Sequence, residues 1–271
     1  MRNWKFAISS ADEAPDSAPI LLKGDICEIL KEAARLGYDA VEIHVRETDD
    51  IDYEVIKKCR DEYNIKISAI VTGRLNTHGK CNLMDDIPYI AHAAVEGIKT
   101  YIGIASNLDA DIVLGWVRGN VPPGGSKSKY MSRLAKKLKI LAEYAAQRNV
   151  KIFVEVINRY ETNVFNTAKE IVVFLENYNI PNCYVHLDTF HMNIDEVDSA
   201  EAIITCGEKL GYMHFADNTR YYPGSGQIDF KKIVKALNGI NYNGYLTVEC
   251  LPYPDEKTAA TKALSYLKSL I

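Results

Sequence analysis

The chain has 271 residues, 47% of them hydrophobic and 25% charged, with a formal net charge of −4. This is globular composition, and an acidic balance argues against a nucleic-acid partner, which asks for a basic face. No apolar run reaches the ~18 residues of a membrane helix, and the N-terminal MRNWKFAISSADEAPDS lacks the apolar stretch of a secretion signal, so a soluble cytoplasmic protein is expected. The six cysteines, Cys27, Cys59, Cys81, Cys183, Cys206 and Cys250, form no C-x-x-C pair. Zinc-knuckle and thioredoxin-type motifs are thereby excluded, and unpaired thiols in a reducing compartment are expected.

In chain order, short apolar runs alternate with helical patterns. Trp4–Ser9 is the first run. Asp25–Leu36 follows with apolar residues at Ile26, Ile29, Leu30, Ala33 and Ala34, and Gly37 as its stop. Ala40–Val45 is the second run, Ile51–Tyr63 a helix, and Lys66–Val71 the third run. A loop, TGRLNTHGKCNLMDD, leads into a long helix over Ile87–Asn107. Asp111–Trp116 is the fourth run. Val117–Ser128 contains Pro122, Pro123, Gly124 and Gly125 and must be irregular. Lys129–Arg148 is a basic amphipathic helix whose charges read as a solvated face. Lys151–Val156, Cys183–Leu187, Tyr212–Phe215 and Tyr245–Val248 are runs five to eight. The helices Thr167–Asn179, Ala200–Leu210, Phe230–Leu237 and Asp255–Leu270 follow them in turn.

Continuous apolar strands need cover on both faces, which implies a parallel sheet. Eight strand–helix units in a chain near the typical ~250 residues predict a single-domain (β/α)8 TIM barrel over residues 1–271. A doubly wound open sheet is the alternative. Its first turn should carry a glycine-rich phosphate loop, and Ser9-Ser10-Ala11-Asp12 does not.

Barrel enzymes carry their chemistry at the C-terminal ends of strands. Glu155, Asp188, His214 and Glu249 end runs five, six, seven and eight, each about one strand–helix unit after the last. A barrel mouth brings them together, so they are expected to hold one divalent metal. Three carboxylates and one imidazole suit Mn2+ first, with Mg2+ or Co2+ as alternatives. Glu161, His191 and Arg220 lie in the following loops, where substrate contacts belong. His186 reads as a packed barrel histidine. His44 is open between packing and ligation, and His78 and His92 have no nameable partner. Gly224-Ser225-Gly226 reads first as a turn and second as a phosphate cradle.

At these residues the chain resembles a known family. VEVINRYETNVFNT, HLDTFHMNIDE, HFADNTR, PGSGQIDF and GYLTVE are similar to the sugar isomerase/epimerase superfamily of xylose isomerase-like barrels, which includes the ketose 3-epimerases of the D-tagatose and D-psicose type. The resemblance is dense over about residues 150–250. It implies that Glu155, Asp188, His214 and Glu249 hold the metal, that Glu155 and Glu249 are also the catalytic acid/base pair, and that Glu161, His191 and Arg220 grip the oxygens of a small sugar. The chemistry agrees. Removing a proton beside a carbonyl gives an enediolate that a metal stabilises, and two carboxylates on opposite faces can remove and return the proton. A homo-oligomer fits the family, although no interface is readable.

The N-terminal half departs from the pattern. SSADEAPDSAP lacks the aromatic-rich loop after the first strand, and the loops TGRLNTHGKCNL and WVRGNVPPGGS also differ. They add Arg74 and Arg118 as cations that could meet a carboxylate or phosphate, or pair with loop acids. The leading expectation is a metal-dependent C3 epimerase of a ketose. The alternatives are an aldose–ketose isomerase, including one acting on a sugar phosphate or of hydroxypyruvate type, and a lyase of dehydratase or C-glycoside-cleaving type. A DNA-repair endonuclease of related fold would need more histidines and a basic surface.

Overall fold

The structure is a computed structural model that describes residues 4–46, 48–49 and 51–271. Eight parallel strands follow one another round a closed barrel: β1 Lys5–Ala11, β2 Ala40–His44, β3 Lys66–Val71, β4 Asp111–Leu114, β5 Ile152–Glu155, β6 Cys183–Asp188, β7 Leu210–Phe215 and β8 Tyr245–Val248. The ring closes where β8 pairs with β1, Phe6 opposite Leu246 and Ile8 opposite Val248. A two-residue strand, Leu22–Lys23, extends the sheet beyond β1.

The helices form where the apolar spacing and the caps coincide. Ile26–Leu36 starts at Asp25, whose carboxylate accepts from the backbone N–H groups of Cys27 and Glu28, and stops at Gly37 with φ of 91°. It buries Ile29, Leu30 and Ala33 against the barrel. The main core lies between strands and helices. A smaller cluster of Ala69, Val71, Val113, Phe153 and Tyr212 fills the barrel interior, with Phe153 and Tyr212 stacked 5.1 Å apart. The mouth above that plug is therefore a floor on which polar groups can be placed.

Most expected elements occur within a residue or two. The basic helix runs Lys127–Ala146, two residues earlier than its charge pattern indicates, because Ser126 caps it. Two short helices arise inside segments read as loops, Gly73–Thr77 and Thr189–Asp195. The expectation of unpaired thiols is corrected at one place. Cys27 and Cys59 are disulfide-bonded, because the helices Ile26–Leu36 and Tyr53–Glu62 pack side by side and bring their Cα atoms to 5.6 Å. Cys81, Cys183, Cys206 and Cys250 are free and buried. No described helix is long and apolar enough to cross a membrane.

Candidate active site

All seven expected site residues converge at the C-terminal mouth. Glu155, Glu161, His191, His214, Arg220 and Glu249 line one cavity of about 500 Å3. Asp188 lies just beneath it, fully buried. The strand register sets the heights: Asp188 on β6 is the pairing partner of His214 on β7, and Glu155 on β5 pairs with His186. Register shifts occur between Val41 and Glu42 and between Val185 and His186, immediately before the polar residues of β2 and β6. Such bulges re-aim side chains next to active sites.

Asp188 has two tasks. Its Oδ1 accepts from the Phe190 N–H at 2.7 Å and so caps Thr189–Asp195, the helix that carries His191. Its Oδ2 is buried without a hydrogen bond, with Arg220 no nearer than 3.8 Å, and Nδ1 of His214 is likewise without one, with Glu249 Oε2 3.4 Å away. Leaving buried polar atoms unpaired costs ~1–3 kcal/mol each, so these two atoms ask for a ligand. Asp188, His214 and Glu249 each offer an atom within 4.8 Å of the others, as do Glu155, Asp188 and His191. A set of carboxylates and imidazoles with orphaned buried donor atoms fits a divalent cation.

The buried charges act strongly on one another. Burial first, then the neighbouring Glu249 and Asp188 against His214 and Arg118, pushes the Glu155 carboxyl up to about 8. Burial also opposes ionisation of Glu249, but His214 and Arg220 outweigh it and hold Glu249 well below the usual range. Burial works against a charged His214, yet Glu42 and Glu249 together raise its pKa well above the usual value. Burial and then Arg220 push His191 down to about 3, so it is a neutral imidazole.

The outer ring is ordered by a residue that sequence reasoning passed over. The Asn158 side-chain amide donates to Glu161 Oε1 at 2.8 Å and to His191 Nδ1 at 2.7 Å. That leaves His191 Nε2 to carry the proton and face the cavity, 3.8 Å from Glu155 Oε1. Arg220 donates to Glu249 Oε2 at 2.9 Å, lies 3.8 Å from both Asp188 and Glu161, and stacks over Phe190. Its backbone is left-handed, with φ of 61°, a conformation uncommon for a residue other than glycine.

Glu42 and Gly115 were also missed. Glu42 is a fully buried carboxylate in mid-strand whose Oε2 meets His214 Nε2 at 2.8 Å; its only sequence signal is a charge inside the apolar run AVEIHV. Gly115 follows β4, and a Cβ there would stand 2.6 Å from Glu155 Oε2, so any larger residue would force that carboxylate to shift. His44 resolves toward the site, 3.6 Å from Glu249 Oε1 and 3.5 Å from Glu42 Oε1. His186 is fully buried and edge-on to His214 at 4.1 Å, but both its ring nitrogens lack a hydrogen bond and it offers an atom to a candidate metal group with Glu155 and His214, so packing and ligation both stay open for it.

Both extra cations are engaged within the protein. Arg118 is fully buried and donates to the carbonyls of Val164 and Gly115, bracing two loops. Arg74 pairs with Asp12, the loop-acid alternative. Gly224 and Gly226 donate their N–H groups to Asp217 Oδ2, so the GSG segment is a turn closed by its own carboxylate. His78 lies at the rim of the cavity and His92 faces outward.

A (β/α)8 barrel with ionisable groups gathered at its C-terminal mouth defines a barrel enzyme whose mouth residues could hold a divalent metal. The chain belongs to the family described as xylose isomerase-like TIM barrel, which matches residues 30–270. It is 34% identical over 220 residues to the L-ribulose 3-epimerase of Methylomonas sp. (strain DH-1), covering 80% of this chain and 75% of that protein. It is 30% identical over 239 residues to the D-psicose 3-epimerase of Agrobacterium fabrum, covering 86% and 80%. Among solved structures, the D-allulose 3-epimerase from Methylomonas sp. superposes with a TM-score of 0.81 at 27% identity, over 99% of both chains. These relatives are epimerases of the isomerase class, and a divalent metal is what that family implies.

Proposed function

We propose that this chain is a divalent-metal-dependent sugar epimerase that inverts C3 of a ketose, with Mn2+ as the metal of first choice. One observation carries the reading: Glu155 and Glu249 reach the same cavity from β5 and from the end of β8, with Asp188 and His214 supplied by the two strands between them. Two carboxylates approaching from different strands provide the two-sided proton transfer that inversion requires.

Glu155, Asp188, His214 and Glu249 would hold the cation, which supplies Lewis-acid stabilisation of negative charge on the substrate. One of the two glutamates removes the C3 proton, and the charge delocalises toward the C2 carbonyl as an enediolate. The other returns a proton to the opposite face of C3. His191, neutral and protonated at Nε2, donates to a substrate oxygen. Arg220 does the same with a permanent charge, and Glu161 accepts from a hydroxyl. Asn158 holds His191 and Glu161 in those roles. The relatives named above, and a solved D-allulose 3-epimerase from Methylomonas sp. in complex with D-allulose at 26% identity, support a sugar as the ligand.

The test is proton NMR of the Mn2+-loaded protein with a panel of ketoses in D2O. Deuterium at C3 together with the C3 epimer is expected. Exchange at C1 or C2 with aldose formation would replace the reading by an aldose–ketose isomerase. Loss of a leaving group would replace it by a lyase.

A further inference from the structure

The space at the mouth continues past the reacting groups. Beside the metal-site cavity lies an open cleft of about 750 Å3, and Trp116 and Glu161 line both. Either volume falls in the range that accommodates an entire drug-sized ligand. A free ketose has no use for the second.

The cleft's chemistry is specific. Trp116 is 44% exposed, whereas Val117 and Arg118, its neighbours in the same short turn, are fully buried. The indole is therefore a rigid flat surface set on an anchored turn. Around it stand Asn76, Asn82, Asp85, Asn120 and Thr162. Among the described residues lining the cleft there is no lysine, arginine or histidine, while Asp85, Asp86 and Glu161 contribute carboxylates. Asp86 is already paired with Arg133 and Tyr130, and Glu161 faces Arg220 at 3.8 Å, which leaves Asp85, among the described residues, as the lining carboxylate with no cation paired to it. Carboxylates without a lining cation repel a phosphate or an acidic sugar. Carboxamides and carboxylates beside one aromatic plane suit a ring with hydroxyls on its edge and C–H groups on its face.

We propose that the substrate is a keto sugar bearing a second, neutral sugar ring on the end remote from the reacting carbon, and that this ring lies on Trp116 in the cleft. The inference takes the reacting half from the epimerase reading, but the cleft can be tested without turnover. The chain has two tryptophans, and Trp4 is buried with its indole N–H donated to the Tyr242 carbonyl. Ligand-dependent changes in tryptophan emission therefore report Trp116, and because Trp116 also lines the metal-site cavity, occupancy of the cleft is read as the change beyond that given by the free ketose.

The experiment titrates the Mn2+-loaded protein with a free ketohexose, the same ketohexose carrying a glucosyl unit on its terminal hydroxyl, and its terminal phosphate. The glucosyl compound is expected to change the emission beyond the free sugar's effect and to bind about tenfold more tightly than the free sugar, the size of one good aromatic contact. The phosphate should bind no better than the free sugar. Calorimetry on Trp116→Ala should show the glucosyl advantage gone. Equal affinities for the free and glucosyl sugars, no emission change with the glucosyl compound beyond that of the free sugar, a preference for the phosphate, or an advantage that survives Trp116→Ala would each overturn the proposal. NMR of the same samples reads the other claim separately: failure of the epimerase reading appears as no deuterium at C3 in any compound, whatever the binding order.

Discussion

His214 Nε2 lies 2.8 Å from Glu42 Oε2, and both side chains are closed off from solvent. Burying a carboxylate in mid-strand is expensive unless it has a partner. Here the partner is an imidazole whose other nitrogen, Nδ1, is aimed at Glu249 from 3.4 Å. Glu42 therefore orients the ring and fixes which nitrogen is left to bind a cation, the arrangement found behind many metal-ligating histidines.

Glu42→Gln keeps the size and loses the charge. It should weaken metal binding by about 10–100-fold, the usual effect of removing such a support. A metal titration by calorimetry checks this, with circular dichroism to show that the barrel persists. An unchanged titration would return Glu42 to a purely structural role.

The barrel and the gathering of Glu155, Asp188, His214 and Glu249 at one mouth were legible because both depend on periodicity, whereas Glu161, His191 and Arg220 lie in loops and were singled out by position and resemblance. Alternating strand and helix patterns gave the architecture, and polar residues at equivalent strand ends gave the ligand candidates Glu155, Asp188, His214 and Glu249. Glu42, Asn158 and Gly115 were not legible, because each acts through a partner far along the chain. Glu42 contacts His214 across 172 positions, and Asn158 reaches His191 across 33. The Cys27–Cys59 bridge was missed for the same reason, a pairing of two helices that no local motif announces. Arg118, read as a loop cation, turned inward because the carbonyls of Val164 and Gly115 were there to accept its hydrogen bonds.

Glu155→Gln and Glu249→Gln should each lower kcat by about 10²–10⁴-fold, the contribution of a positioned acid or base, with the thermal transition retained. Deuterium exchange at C3 is the direct readout. If either variant exchanges at a near-normal rate, that residue leaves the acid/base pair.

Gly115 makes a steric prediction. A methyl group added there would meet Glu155 Oε2 at 2.6 Å, well inside contact distance. Gly115→Ala should therefore displace the carboxylate, costing about 1–3 kcal/mol of overpacking or relieving itself by rotating Glu155 away from the cation. In either case metal affinity falls. Full metal affinity and activity in the alanine variant would show that Glu155 is not held where the structure places it.

Metal binding should depend on pH with a defined sign. In the metal-free chain Glu155 holds its proton up to about 8, with burial as the first cause, and His214 holds its own well above its usual range because Glu42 and Glu249 outweigh burial. Both groups bind protons more tightly when folded than when unfolded. Their contribution to stability is present at low pH and is lost as pH rises through the folded pKa, for Glu155 between its ordinary 4.5 and about 8. A cation needs both ligands deprotonated, so it must displace those protons. Affinity, and the rise in Tm that the metal produces, should therefore increase from pH 6 to about 8, and calorimetry in buffers of different ionisation enthalpy should detect proton release. A rise in Tm that is flat across that interval, with no protons released, would mean that Glu155 and His214 are already free to bind at pH 6 and are not held as the structure indicates.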